Sequence, residues 1–165
     1  MRLISAPKFI VDNNVGKLAR WLRIMGYDTQ LFNGSDDANM ITTALAEGRV
    51  ILTRDTQIVK RRVVASGRLK GILIQSDEPE RQMQQVIDTL NLDCRFRPFA
   101  ICLECNQLLL ERSKQQVKDL VPPHVFQTQN QYMECPACHR IYWRGTHWQA
   151  MTRKLDRFMP PRRNE

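Results

Sequence analysis

No apolar run in this 165-residue chain approaches the roughly 20 residues that cross a bilayer, so a helical membrane span is excluded. Met1 to Asn14 holds neither a long apolar stretch nor a cleavage-site pattern, and no secretory leader is expected. A glycine-rich phosphate loop is missing, and so is any Ser-His-Asp or Cys-His order that would mark a nucleophilic site. There is no internal repeat and no low-complexity tract. The methionines are scattered, and Met25 and Met83 fall on apolar stripes rather than in a cofactor box.

What is present is a chain 42% hydrophobic, enough for one ordinary core and a small second one. Its net charge of +8 and pI near 9.6 favour an acidic partner such as nucleic acid. Up to Arg95 there are 14 basic and 11 acidic residues, a balance of +3; beyond it there are 11 and 6, a balance of +5. Four thiolates around a zinc ion would bring the second figure down to +3, so charge alone does not decide which half meets the partner.

The cysteines carry the strongest signal. Cys102-Leu-Glu-Cys105 and Cys135-Pro-Ala-Cys138 are two knuckles with the spacing of a tetrahedral structural zinc site. Two disulfides would need an oxidising compartment, whereas the expected setting is cytoplasmic. Cys94, left over, is expected to be an ordinary half-buried thiol. His139 abuts Cys138, but four cysteines already close the site. The 29 residues between Cys105 and Cys135 are long for a minimal ribbon. A small element is expected there, starting at the capping box Ser113-Lys-Gln-Gln116 and ending before Pro122-Pro123. A second box, Thr146-His-Trp-Gln149, would open a terminal helix bearing Arg153, Lys154 and Arg157, with a basic tail at Pro160-Pro161-Arg162-Arg163.

Upstream, short apolar runs alternate with helical periodicity. Strands are expected at Lys8 to Asp12, Thr29 to Phe32, Val50 to Thr53 and Gly71 to Ile74. Between them the spacing predicts a helix with Val15, Leu18, Ala19, Leu22 and Met25 inward, one with Ile41, Ala44 and Leu45 inward, and one after Arg54-Asp55 that runs through about Ser66. A last helix would carry Met83, Val86, Ile87 and Leu90. The alternation implies an α/β fold with a parallel sheet flanked by helices, whose ligands bind at the carboxyl ends of the strands.

Asp12, Asp55 and Asp77 each lie just beyond a strand, and Asp36-Asp37 lies in the loop after another, so one edge of the sheet would collect them. Uncompensated carboxylates repel, and such a cluster calls for divalent cations; hard oxygens suit Mg²⁺ or Mn²⁺. Two such ions can activate a water and stabilise the leaving oxygen of a phosphodiester. Aspartate is also a favoured helix cap, which accounts equally well for Asp77 and for Asp36 or Asp37. Lys17, Arg20 and Arg23 recur on the face of the first helix opposite its apolar stripe, and Arg54, Lys60, Arg61 and Arg62 flank Asp55, a candidate phosphate-contacting surface. Trp21 is expected to pack at the core edge rather than stack on a base.

The strings Phe9-Ile-Val-Asp12, Gly16-Lys-Leu-Ala-Arg-Trp-Leu-Arg23, Gly26-Tyr-Asp28 and Gly48-Arg-Val-Ile-Leu-Thr-Arg-Asp55 resemble the Mut-seven C-terminal RNase domain family. So do Arg97-Pro-Phe, the two cysteine knuckles, Val121-Pro-Pro, Ile141-Tyr-Trp143 and Gly145-Thr-His147. The resemblance implies a PIN-like nuclease domain over 1–95 fused to a zinc ribbon over 96–165, with metal-dependent ribonuclease activity on RNA. It carries the catalytic acids onto Asp12 and Asp55, with Asp36 or Asp37 and then Asp77 completing the set. It leaves room for a homodimer. Two other readings stand beside it: a non-catalytic RNA- or ribosome-binding module whose acids only cap helices, and a protein-interaction adaptor built on the ribbon.

Overall fold

The computed structural model describes residues 6–158; the basic tail at 160–163 lies outside them. Four strands, β1 (Lys8–Asp12), β2 (Thr29–Phe32), β3 (Arg49–Thr53) and β4 (Gly71–Leu73), form a parallel sheet in the order β2-β1-β3-β4. Central β1 is covered on both faces, which is why Phe9, Ile10 and Val11 are an unbroken apolar run rather than an alternating one. Asp12 stands opposite Phe32 of β2, and Val11 lies between Leu31 of β2 and Leu52 of β3. All four strands therefore end on the same edge.

On one face, α1 (Lys17–Ile24) and α5 (Pro79–Leu90) bury Leu18, Leu22, Met83 and Val86 against Phe9, Val11 and Leu52. On the other, α2 (Asp37–Glu47), α3 (Thr56–Val59) and α4 (Arg62–Ala65) bury Met40, Ile41, Ile58 and Val64 against Ile10 and Ile51. The chain after α1 turns at Gly26, whose φ of 94° suits glycine and where a Cβ would collide with the Arg97 backbone.

Two expectations need correcting. Leu45 is 44% exposed, and Met40 takes the inward place; at 3.6 residues per turn Leu45 lies about 90° from the centre of the stripe formed by Met40, Ile41 and Ala44. The helix expected after Asp55 and through about Ser66 is two short ones, broken where Arg61 adopts an extended ψ of 136°. In one continuous helix Ile58 and Val64 would point about 120° apart, and the break lets both reach the sheet.

Beyond Phe96 a second, antiparallel sheet joins β5 (Leu110–Arg112), β6 (Tyr132–Glu134) and β7 (Ile141–Tyr142) in that order. The insert between the knuckles holds a 3₁₀ turn (Gln115–Val117) and α6 (Pro123–Thr128). The Ser113 box is formed reciprocally: Ser113 N–H donates to Gln116 Oε1 at 2.8 Å, and Gln116 N–H to Ser113 Oγ at 3.3 Å. Val117, Val121, Val125 and Tyr132 make the small core there, with the Tyr132 hydroxyl donating to the carbonyl of Gln129. The terminal helix α7 (Thr146–Phe158) has Thr146 as its first residue rather than its cap. It buries Met151 and Leu155 in the core of the first sheet, and Trp21 packs edge-on against its Phe158. None of the described helices is long and apolar enough to cross a membrane.

Candidate catalytic edge and zinc centre

At the carboxyl edge the buried Thr53 joins two of the expected acids. Its hydroxyl donates to Asp12 Oδ2 at 2.7 Å and accepts the Asp55 N–H at 2.9 Å. Asp12 precedes the 3₁₀ turn Asn13–Val15, yet its carboxylate makes no cap bond there, so its orientation is set by Thr53. Asp55 does cap α3, with Oδ1 accepting the Gln57 N–H at 2.8 Å. Asn14 Oδ1 accepts the Arg54 N–H at 3.4 Å, tying the loop after β1 to the loop after β3.

The other aspartates divide. Asp36 caps α2 through the Ala38 N–H at 3.0 Å, and Asp37 is the first helical residue. Asp77 is not a cap: Glu78 holds the position before α5, and Ser76 Oγ accepts the Glu78 N–H. Asp77 borders a cavity of about 340 Å³ together with Asn13, Asn14, Gly16, Lys17 and Gln82. Among the described residues, the one group of three or more Cys, His, Asp or Glu with mutually close ligand atoms is the four cysteines.

Of the basic residues, Lys17, Arg20, Arg54, Lys60, Arg61 and Arg62 are exposed. Arg23 is not; it is 8% exposed. Six residues along a helix carry it about 120° around from Lys17, toward β2. There its Nε donates to the Thr29 carbonyl at 3.0 Å and its Nη1 to the Leu103 carbonyl at 2.8 Å, inside the first knuckle. Burial pulls its pKa down, and the negative charge of Cys102 and Glu104 acts against that. Arg20 pairs with Glu104 at 3.3 Å, so α1 faces the zinc knuckle rather than presenting a free basic stripe.

The knuckles are built alike. After each second cysteine a residue takes a left-handed backbone, Asn106 at φ 60° and His139 at φ 61°. Cys105 N–H points to Cys102 Sγ at 3.4 Å and Cys138 N–H to Cys135 Sγ at 3.5 Å. The four sulfurs lie within 4.8 Å of one another, with Cys102 and Cys138 Sγ 3.8 Å apart. Zinc–sulfur bonds of about 2.3 Å in a tetrahedron require sulfur separations of about 3.8 Å, so this set fits zinc. Burial raises the Cys102 pKa, but the Tyr142 hydroxyl, 3.1 Å away, and the Cys105 and Glu104 N–H groups outweigh it and bring the thiol to about 7. Burial pushes Cys135 up, as expected of thiols that cannot all ionise without a shared cation. His139 lies outside this sulfur group, 3.5 Å from Glu134, and Cys94 is buried with its pKa raised chiefly by burial.

Sequence reading missed Thr53, Asn106 and Tyr142. Each stands beside or within a recognisable motif, but a hydroxyl or amide next to a ligand carries no separate periodic signal. Asn106 Oδ1 accepts the Thr29 N–H at 2.9 Å, and its Nδ2 donates to Asp28 Oδ1 at 2.7 Å, so the first knuckle is bonded directly to the edge of the parallel sheet.

No curated protein and no solved structure matches the chain. The Mut7-C RNAse domain family model matches residues 7–155, nearly the whole length and both sheets, and the chain belongs to that family.

Proposed function

We propose that the protein is a metal-dependent ribonuclease whose carboxyl edge holds Mg²⁺ or Mn²⁺ between Asp12 and Asp55, with Asp77 and Asp36 or Asp37 assisting. The observation that carries this is the Asp12–Thr53–Asp55 bond chain in a member of an RNAse family. Thr53 occupies one oxygen of Asp12 and the helix cap one oxygen of Asp55, which leaves each carboxylate a second oxygen for a cation. A divalent ion bound there would neutralise phosphate charge and ease deprotonation of water. Hydrolysis then joins a water oxygen to phosphorus, breaks one P–O bond and returns a proton to the leaving ribose oxygen. Lys17, Arg54, Lys60, Arg61 and Arg62 are exposed, and in this reading they contact backbone phosphates. The zinc ribbon, over 96–165, braces the nuclease domain, over 1–95, and aids RNA binding. A cytoplasmic setting would keep its thiols reduced.

The test is cleavage of mixed RNA by the purified zinc-loaded chain with and without Mn²⁺, alongside Asp12→Asn and Asp55→Asn. Mn²⁺-dependent cleavage lost in both variants supports the reading; equal rates in all three end it. The capping roles of Asp36 and Asp55 favour a second reading, a non-catalytic RNA- or ribosome-binding module. It predicts RNA binding with no Mn²⁺-dependent cleavage, weakened only when Arg61 and Arg62 are neutralised.

A further inference from the structure

Away from the aspartates, a cleft of about 500 Å³ opens between α1, the second sheet and the start of α7. Four aromatic side chains stand in its wall: Phe99, Tyr142, Trp143 and Trp148. Phe99 and Trp148 meet edge-to-face with centroids 5.1 Å apart, which fixes their planes, and the Arg144 guanidinium lies 5.6 Å from the Phe99 ring. Arg20 and Arg140 stand at the rim, and among the described residues no acidic side chain lines the cleft. Both arginines reach the same neighbouring carboxylate, Glu104, at 3.3 and 3.7 Å, so two cations share one anion and the rim stays positive. Rigid aromatic faces under a positive rim are what single-stranded nucleic acid needs: every base has a face to stack, and each phosphate seeks a guanidinium.

The cleft also lies along α1 from the cavity that Asp77 borders. Gly16 and Lys17 border the Asp77 cavity, and Arg20 borders the cleft. One turn of α1, about 6 Å of rise from Gly16 to Arg20, separates them. We propose that this cleft binds one or two unpaired nucleotides of the RNA strand, stacking their bases on Trp143 and its aromatic neighbours while Arg20 and Arg140 take the adjoining phosphates. The proposal rests on the ribonuclease reading and gives it a substrate class: single-stranded RNA, held against the second sheet about a helical turn along α1 from the cavity that Asp77 borders.

The experiment uses the full zinc-loaded chain carrying Asp12→Asn, so that RNA survives, and labelled oligouridine of about ten nucleotides against an RNA duplex of equal length. Anisotropy gives affinity, and crosslinking of 5-bromouridine-substituted strands gives the contact. The expected result is preference for the single strand, about tenfold weaker binding in Arg140→Gln and in Trp143→Leu, and crosslinks at Trp143 or Trp148. Zinc content and melting temperature are measured on each variant; Arg140→Gln, at an exposed position, keeps the test decisive if Trp143→Leu unfolds. Wild-type affinity in Arg140→Gln, with crosslinks confined to α3 and α4, overturns the cleft and leaves RNA binding standing. No binding to either RNA overturns both readings. A dimer in sedimentation that Trp143→Asp dissolves assigns the cleft to a second copy and overturns the proposal.

Discussion

Arg23 Nη1 donates to the Leu103 carbonyl at 2.8 Å, so a buried guanidinium on the first helix holds the turn between Cys102 and Cys105. The same side chain holds the Thr29 carbonyl at the start of β2, and Asn106 completes the bridge from the other side. Knuckle and sheet are thus one hydrogen-bonded unit.

Arg23→Leu is therefore expected to lower unfolding free energy by about 2 to 4 kcal/mol, because it strands buried carbonyls without donors. Urea unfolding followed by tryptophan emission and by circular dichroism should still give a single transition at a lower midpoint. A second-sheet transition moving alone, with the parallel sheet untouched, would contradict the bridge.

Thr53→Val keeps shape but removes the hydroxyl shared by Asp12 and the Asp55 N–H. About 1 to 3 kcal/mol of stability should be lost, with RNA cleavage falling more steeply than stability accounts for. Thr53→Ser, which restores the hydroxyl, should recover most of both. Melting curves and initial rates on the three proteins separate positioning from simple destabilisation.

Zinc removal should unfold the second sheet first, since its own core is only Val117, Val121, Val125 and Tyr132, with Phe126, Ile141 and Trp143 packed against them. Zinc analysis should find one ion per chain, and chelation should cost far-UV signal. Affinity should rise with pH between about 6 and 8, because protons compete for thiols and metal binding releases them. Cys102, with its pKa brought down to about 7, ionises within that range.

Acid sensitivity should come in part from Asp28. Desolvation raises its pKa, but hydrogen bonds from Arg49 at 2.9 Å and Asn106 at 2.7 Å outweigh that, and the net shift is downward. A folded-state pKa below the unfolded one means the bridge stabilises above the ordinary carboxylate range and is lost as pH falls through the lowered value. Asp28→Asn should accordingly reduce stability at neutral pH and flatten its decline on acidification, read from melting temperatures along a pH series.

The strands, the stripes of the first and last helices of the parallel-sheet layer and the cysteine knuckles were legible because each is a local pattern: an apolar run, a period, or a fixed cysteine spacing. Asp12 and Asp55 were legible as candidates because both follow strands of one parallel sheet. What could not be read was where long polar side chains go. Arg23 has the spacing of a solvated face, yet two free carbonyls beyond it draw it inward. The break at Arg61 and the docking of Met151 and Leu155 on the first core depend on distant surfaces that no local period encodes. Asp77 could be a cap or a ligand on sequence alone; the structure gives the cap position to Glu78 and leaves Asp77 beside a cavity.

The central claim is that Asp12 and Asp55 share a divalent cation. Mn²⁺ titration of the zinc-loaded chain, followed by electron paramagnetic resonance, tests it without relying on any RNA. The account predicts a bound Mn²⁺ whose affinity falls about tenfold or more in Asp12→Asn and in Asp55→Asn, with zinc content unchanged. Identical Mn²⁺ binding in wild type and both variants would contradict it.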